Sequence, residues 1–184
     1  DMSVVGHYMG SAGLSAVSVG GRLVELLTFL CTGFCTGGQI LLSQQVGAKQ
    51  EDGIQKTIGT LFSFVLLCAV VLGSLSIALH RVLLDLLNTP AAAYDQAAAY
   101  MVICNSGCIF IFGYNALCAI LRGLGDSKRP LLFVAIASVV NLVLDLVLVA
   151  GLQMGAAGAA IATVISQAIA FLWALIYLIV KREA

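Results

Sequence analysis

The sequence predicts an all-α, multi-pass membrane bundle, and three observations carry that prediction. The chain of 184 residues is 61% hydrophobic and only 10% charged. A soluble domain carries about 25% charged residues, so most of this surface must face lipid. The apolar residues also gather into five stretches of membrane-crossing length, at 23–47, 57–79, 98–121, 131–151 and 156–180. None shows the ten-residue alternating segments of a transmembrane barrel.

Each stretch holds about 20 or more mainly apolar residues, enough to cross ~30 Å at 1.5 Å per residue. Without water to satisfy the backbone, each must close its hydrogen bonds internally, which only a helix does within one segment. Together they predict one membrane domain over 1–184 with five complete helices. The connections are short. "GAKQEDGIQK" (47–56) is polar, and "HRVLLDLLNTPAAAYDQA" (80–97) reads as an interfacial amphipathic stretch with a turn at Asn88–Pro90. "RGLGDSKRP" (122–130) is basic and ends in a helix-starting Pro130, while "GLQMGAAG" (151–158) is a tight uncharged turn.

Loop charge predicts orientation. Lys49, Lys56, Arg122, Lys128, Arg129, Lys181 and Arg182 lie at one set of ends; only Arg22 and Arg81 lie at the other. The positive-inside rule places loops 47–56 and 122–130 and the C-terminus in the cytoplasm, in a cell membrane, and residues 1–22 outside. The first twenty residues are Gly/Ser-rich and begin at Asp, unlike a signal peptide, so a preceding helix is expected.

Several function classes find no support. Net charge is zero with no basic patch, which gives nucleic acid no footprint. Cys31, Cys35, Cys68, Cys104, Cys108 and Cys118 all lie in apolar stretches without CxxC spacing, so no metal site is expected from them. "GLGDSK" (123–128) follows no strand and lacks GKS/T, and no Ser/His/Asp or HExxH set exists. The chain is not expected to be an enzyme, and no organic cofactor is implied.

Polar residues inside the membrane stretches are the informative ones. With 131–151 running outward, Asp145 lies about 9 Å from its outer end, and Thr163 on the returning helix lies about 10 Å in. Asn141 and Gln167 sit one turn deeper on the same faces as Asp145 and Thr163, since i and i+4 share a face. The short turn makes the two helices antiparallel neighbours, so the stripes meet. A carboxylate in the bilayer costs at least ~2.5–3.5 kcal/mol. That cost falls when the acid is protonated or holds a cation, so Asp145 suits exchange of H⁺ or Na⁺. Asn, Thr and Gln oxygens are hard donors able to complete a Na⁺ shell. Glu25, near the outer end of the first helix with Arg22 one turn back, is an accessory candidate. Small residues at 155, 158, 159 and 162 form a close-packing face.

"DMSVVGHYMGSAGLSAVSVGG" (1–21), "GQILLSQQVGAKQ" (38–50), "LRGLGDSKRPLL" (121–132) and "NLVLDLVLVAGLQMGAAGAAIATVISQ" (141–167) resemble the multidrug and toxic compound extrusion family, in its DNA-damage-inducible-protein-F-like branch. The resemblance covers essentially the whole chain, and the last motif is the most specific. It implies a twelve-helix antiporter of two six-helix lobes, of which this chain is helices 2–6 of the N-terminal lobe, preceded by the last residue or so of helix 1. Helix 1 and the C-terminal lobe are then its partners. Matched by motif, the family cation site falls on Asp1, Asn141, Asp145 and Thr163. The function expected is a secondary active exporter of organic, cationic compounds driven by H⁺ or Na⁺. Two rivals remain: a lipid-linked oligosaccharide flippase of the same superfamily, and a non-transporting scaffold whose polar stripes only bind helices together.

Overall fold

The computed structural model describes residues 2–183, and these form helices joined by short turns. In order they are α1 (Met2–Gly47), α2 (Glu51–Ala78), α3 (His80–Leu86), α4 (Ala91–Ser106), α5 (Cys108–Gly123), α6 (Lys128–Asp145), a π-helical turn (Leu146–Gly151) and α7 (Gly155–Glu183). Among the described residues four spans are long and apolar enough to cross a membrane, and the bent pair α4–α5, taken as one span, gives a fifth. The chain is therefore a multi-pass membrane helix bundle.

Rows of large apolar side chains stay uncovered. On α1, Leu26, Phe29, Leu30 and Phe34 are each more than half exposed, and their i, i+3, i+4 spacing makes one continuous face. In lipid such a face needs no cover. Where helices approach most closely, the interior is lined by small residues. Ala156, Ala159, Ala160 and Ala162 of α7 are essentially inaccessible. A methyl group added at Gly38 would lie 2.5 Å from Leu61, and one at Gly113 would lie 2.5 Å from Phe171. Helices in a membrane approach this closely only where side chains are missing.

The structure departs from the sequence-based expectation at the helix ends and breaks. The sequence predicts the first complete helix from residue 23, with 1–22 outside, yet α1 begins at Met2 and bends at Gly10, whose φ of 68° suits glycine. The membrane span itself runs Gly10–Gly47. Glycine and serine lowered the helix signal there, but packing overrides it: Ala16 is fully buried and Gly20 lies under Tyr100. α2 starts at Glu51 rather than 57, with Glu51 and Asp52 in its first turn, where carboxylates complement the helix dipole.

The third span also differs. It begins at Ala91 and is not straight, because α4 and α5 meet at Gly107 with a bend of 51°. The fourth ends in a π-helical turn directly after Asp145. Between α2 and α4, the expected interfacial stretch forms α3, then a turn with Asn88 at φ 51° and Thr89 Oγ1 donating to Leu84 O at 2.7 Å.

Candidate cation site

The site is built on the antiparallel pair α6 and α7, which pack along their length. The reversal between them is tight, with Gln153 and Gly155 both at positive φ. It brings the C-terminal end of α6 beside the first turns of α7. Asp145 is the last residue of α6 and is 0% exposed. The wider turn that follows it belongs to a class that recurs at functional sites, since the extra residue per turn re-aims side chains. Its own helix thus hands Asp145 inward while Leu146 and Val147 stay about half exposed.

One turn below, Asn141 joins Thr163, Ser166 and Gln167 around a cavity of about 170 Å³, with Ser138 and Tyr114 also on its wall. Thr163 Oγ1 donates to Ala159 O at 3.0 Å, and Ser166 Oγ donates to Thr163 O at 2.9 Å. Both hydroxyls thus donate to the backbone of α7. Gln167 Oε1 is buried with no partner among the described residues. The wall is therefore rich in acceptors.

A further residue enters from α4. The Tyr100 side chain interacts with Thr163 and Cys104 and lies within electrostatic range of Asp145. Sequence reasoning missed it. Its one available signal was a tyrosine spaced with Ala93, Ala97 and Cys104 on a helical face, since a buried tyrosine hydroxyl needs a partner. All four of these positions are buried.

The predicted residues divide as follows. Asn141, Thr163 and Gln167 come together, and Asp145 stands one turn above Asn141. Glu25 is exposed on α1, as is Arg22, and neither lines this cavity. Asp1 lies outside the described residues. Among the described residues no group of three or more His, Cys, Asp or Glu side chains is arranged to hold a metal. What the arrangement offers is a carboxylate withdrawn from water, one helical turn from a cavity walled by amide and hydroxyl side chains. A buried carboxylate must be neutralised by a proton or a cation, and hard oxygen donors suit an alkali cation better than a soft one.

The family model for MatE matches residues 1–147. The chain belongs to the MatE family. Among the relatives of this MatE chain, the probable multidrug resistance protein YpnP of Bacillus subtilis is 36% identical over 175 residues, covering 95% of this chain and 39% of the relative. The DNA damage-inducible protein F of Escherichia coli is 28% identical over 171 residues, covering 91% of this chain and 36% of the relative. A crystal structure of a MATE transporter in its bent conformation superimposes with a TM-score of 0.93 at 25% identity, over 100% of this chain and 42% of that one. The MatE chain thus spans about two-fifths of the length of the curated relatives it matches. YpnP carries the name of a probable multidrug resistance protein.

Proposed function

We propose that the chain acts as the N-terminal lobe of a secondary active exporter that moves organic, cationic compounds out of the cell against H⁺ or Na⁺. The observation that carries this reading is Asp145: a carboxylate with 0% exposure inside a membrane span, one turn from a cavity lined by Asn141, Thr163 and Gln167. Intramembrane acids mark ion pathways far more often than they serve as glue.

Asp145 binds the coupling ion, with Asn141, Thr163 and the N-terminal Asp1 completing the site and Tyr100 and Gln167 bordering it. Loop charge puts the C-terminal end of α6 on the outer side. An ion arriving from outside neutralises Asp145 and favours closer packing of the helices around it. Release of substrate outward and of the ion inward then resets the lobe. Each charge moved inward through 100 mV supplies about 2.3 kcal/mol, enough for roughly 50-fold accumulation. An oligosaccharide flippase would instead need cationic side chains to greet its anionic substrate, and the residues gathered here are an acid, amides and hydroxyls.

The test uses the complete two-lobe transporter that carries this lobe, reconstituted in liposomes. Efflux of a cationic dye is followed under an imposed pH gradient and, separately, a Na⁺ gradient. Efflux driven by one ion and abolished in Asp145→Asn is the expected result. Efflux unchanged in Asp145→Asn removes the assignment.

A further inference from the structure

The third span carries a feature that the cation site does not use. Its two halves meet at Gly107 with a bend of 51°. Across the break, the Gly107 amide donates to Ile103 O and Cys104 O, and its carbonyl accepts from the Phe110 amide at 3.0 Å. The bend has no room to move inward. A methyl group at Gly107 would lie 2.6 Å from both methyls of Val164, the residue after Thr163. On the other side Gly73 of α2 presses on the break, where an added methyl would meet Asn105 O at 3.1 Å and Cys108 Cβ at 3.2 Å.

Asn105 fastens this break to α2. Its Nδ2 donates to Ser76 Oγ at 2.9 Å, and both residues are buried, at 3% and 6% exposure. Asn105 Oδ1 has no partner among the described residues. A buried amide that makes one bond and leaves an oxygen unmatched is a costly way to fill space. An apolar residue of the same volume would pack without that cost, so packing alone does not explain Asn105.

Its place in the helix suggests what it does. Tyr100 precedes Asn105 on α4 by five residues, with Cys104 between them, and its side chain interacts with Thr163. From the far side Tyr100 is held by α1: a methyl group at Gly20 would lie 2.9 Å from its Cδ1. The stance of Tyr100 is thus set by α1 at its ring and by the anchoring of α4 below it. We propose that Asn105 is a positioning residue for cation coupling: through Ser76 it fixes the bend of the third span, and the bend fixes Tyr100 against Thr163. The proposal rests on the antiport reading above. It adds a polar pair, distant from the cation, that sets how well the site is formed.

The experiment compares Ser76→Ala, Asn105→Leu and the double variant in the complete transporter in liposomes. Two quantities are read: the concentration of the driving cation, Na⁺ or H⁺, that gives half-maximal dye efflux, and the maximum efflux rate. Loss of one buried hydrogen bond predicts a rise of about five-fold in the half-saturating concentration. The maximum rate stays within about two-fold of wild type, and the double variant matches the single ones because both cut the same link. Unchanged half-saturation in Ser76→Ala, or single effects that multiply in the double variant, overturns the proposal. So does a fall in maximum rate alone. Should Asn105→Leu not fold, Ser76→Ala decides by the same criteria. A wild type that shows no cation-driven efflux removes the antiport reading and this proposal together; a cation-driven wild type with unshifted variants removes only the tether.

Discussion

Two interfaces in this bundle are built from similar helices and differ in what they leave inside. Where α1 meets α2 and α5, the buried residues are Cys31, Cys35, Leu42, Leu61, Val65, Ala69, Cys108 and Phe112, apolar throughout. Where α6 meets α7, the buried or cavity-lining residues include Asp145, Asn141, Thr163, Ser166 and Gln167. Polar residues on α1 are managed differently again. Thr28, Thr32 and Thr36 each donate at 2.8 Å to the carbonyl one turn back, so they settle their own hydrogen bonds within the helix. The buried cluster at the first interface is therefore apolar, and the threonines of α1 satisfy their hydroxyls locally. Among the described residues, the α6–α7 seam is where a buried acid stands one turn from a polar cavity. Fold economy explains the first two; the seam is where the proposed cation site lies.

The comparison is most directly broken at Asp145. Asp145→Asn is expected to lower ion-driven efflux about 100-fold or more, to background, because the group that exchanges charge is gone. Asp145→Leu should do the same while leaving the detergent-solubilised protein as stable as wild type or more so, since an apolar replacement of a buried charge is often neutral or stabilising. Thermal unfolding in parallel with efflux separates the two effects. Stability lost together with transport would mean the seam is structural, like its apolar counterpart.

The apolar side has its own large effect. Gly113→Ala places a methyl group 2.5 Å from Phe171 Cε2, inside the ring cluster in which Phe62 stacks on Phe171 at 6.4 Å. Overpacking of this kind costs about 1–3 kcal/mol. The expected outcome is a lower unfolding temperature, recovered in part by Phe171→Leu, with the half-saturating cation concentration unmoved. A shift in cation dependence instead would connect this α5–α7 ring cluster to the cation site.

Thr163→Val tests the seam more gently, since it keeps shape and removes one oxygen. If that oxygen faces a cation, about 1.5 kcal/mol of binding is lost and half-saturation rises about ten-fold. Efflux titrated against the driving ion reads this out. An unaltered titration would restrict the site to Asp145 and its closest neighbours.

What the sequence revealed follows from which signals are local. The spans were legible because lipid imposes length and apolar composition on every crossing segment, and Asp145, Asn141, Thr163 and Gln167 were legible because helical period and a short turn fix their faces. Tyr100 was not, because its partners come from α7, far along the chain. The start of α1 is hidden for a related reason: glycines that weaken a helix in isolation are the ones that admit Tyr100 at Gly20. The bend at Gly107 did leave a trace. Asn105, Ser106 and Gly107 interrupt an apolar run, and Gly/Ser pairs are a common cause of kinks. The π-helical turn after Asp145 left none, since "LVLVAG" reads as ordinary apolar helix.

The smallest expected effect sharpens the contrast from the apolar side. Cys31 and Cys35 face each other on α1 with sulfurs 3.8 Å apart, both buried, and all six cysteines are free thiols. Here they act as small apolar residues whose sulfur fills the gap between α1 and α5. Replacing both by alanine removes two sulfur atoms from a packed interior. By analogy with buried methylene groups, at roughly 0.8 kcal/mol each, the total loss is about 1–2 kcal/mol. Unfolding temperature should fall slightly, while maximum efflux and half-saturation by the driving cation stay at wild-type values. If transport were lost in this double variant, the apolar interface would be doing chemistry after all, and the division between the two interfaces would fail. If only stability moves, function is confined to the seam that keeps its oxygens buried.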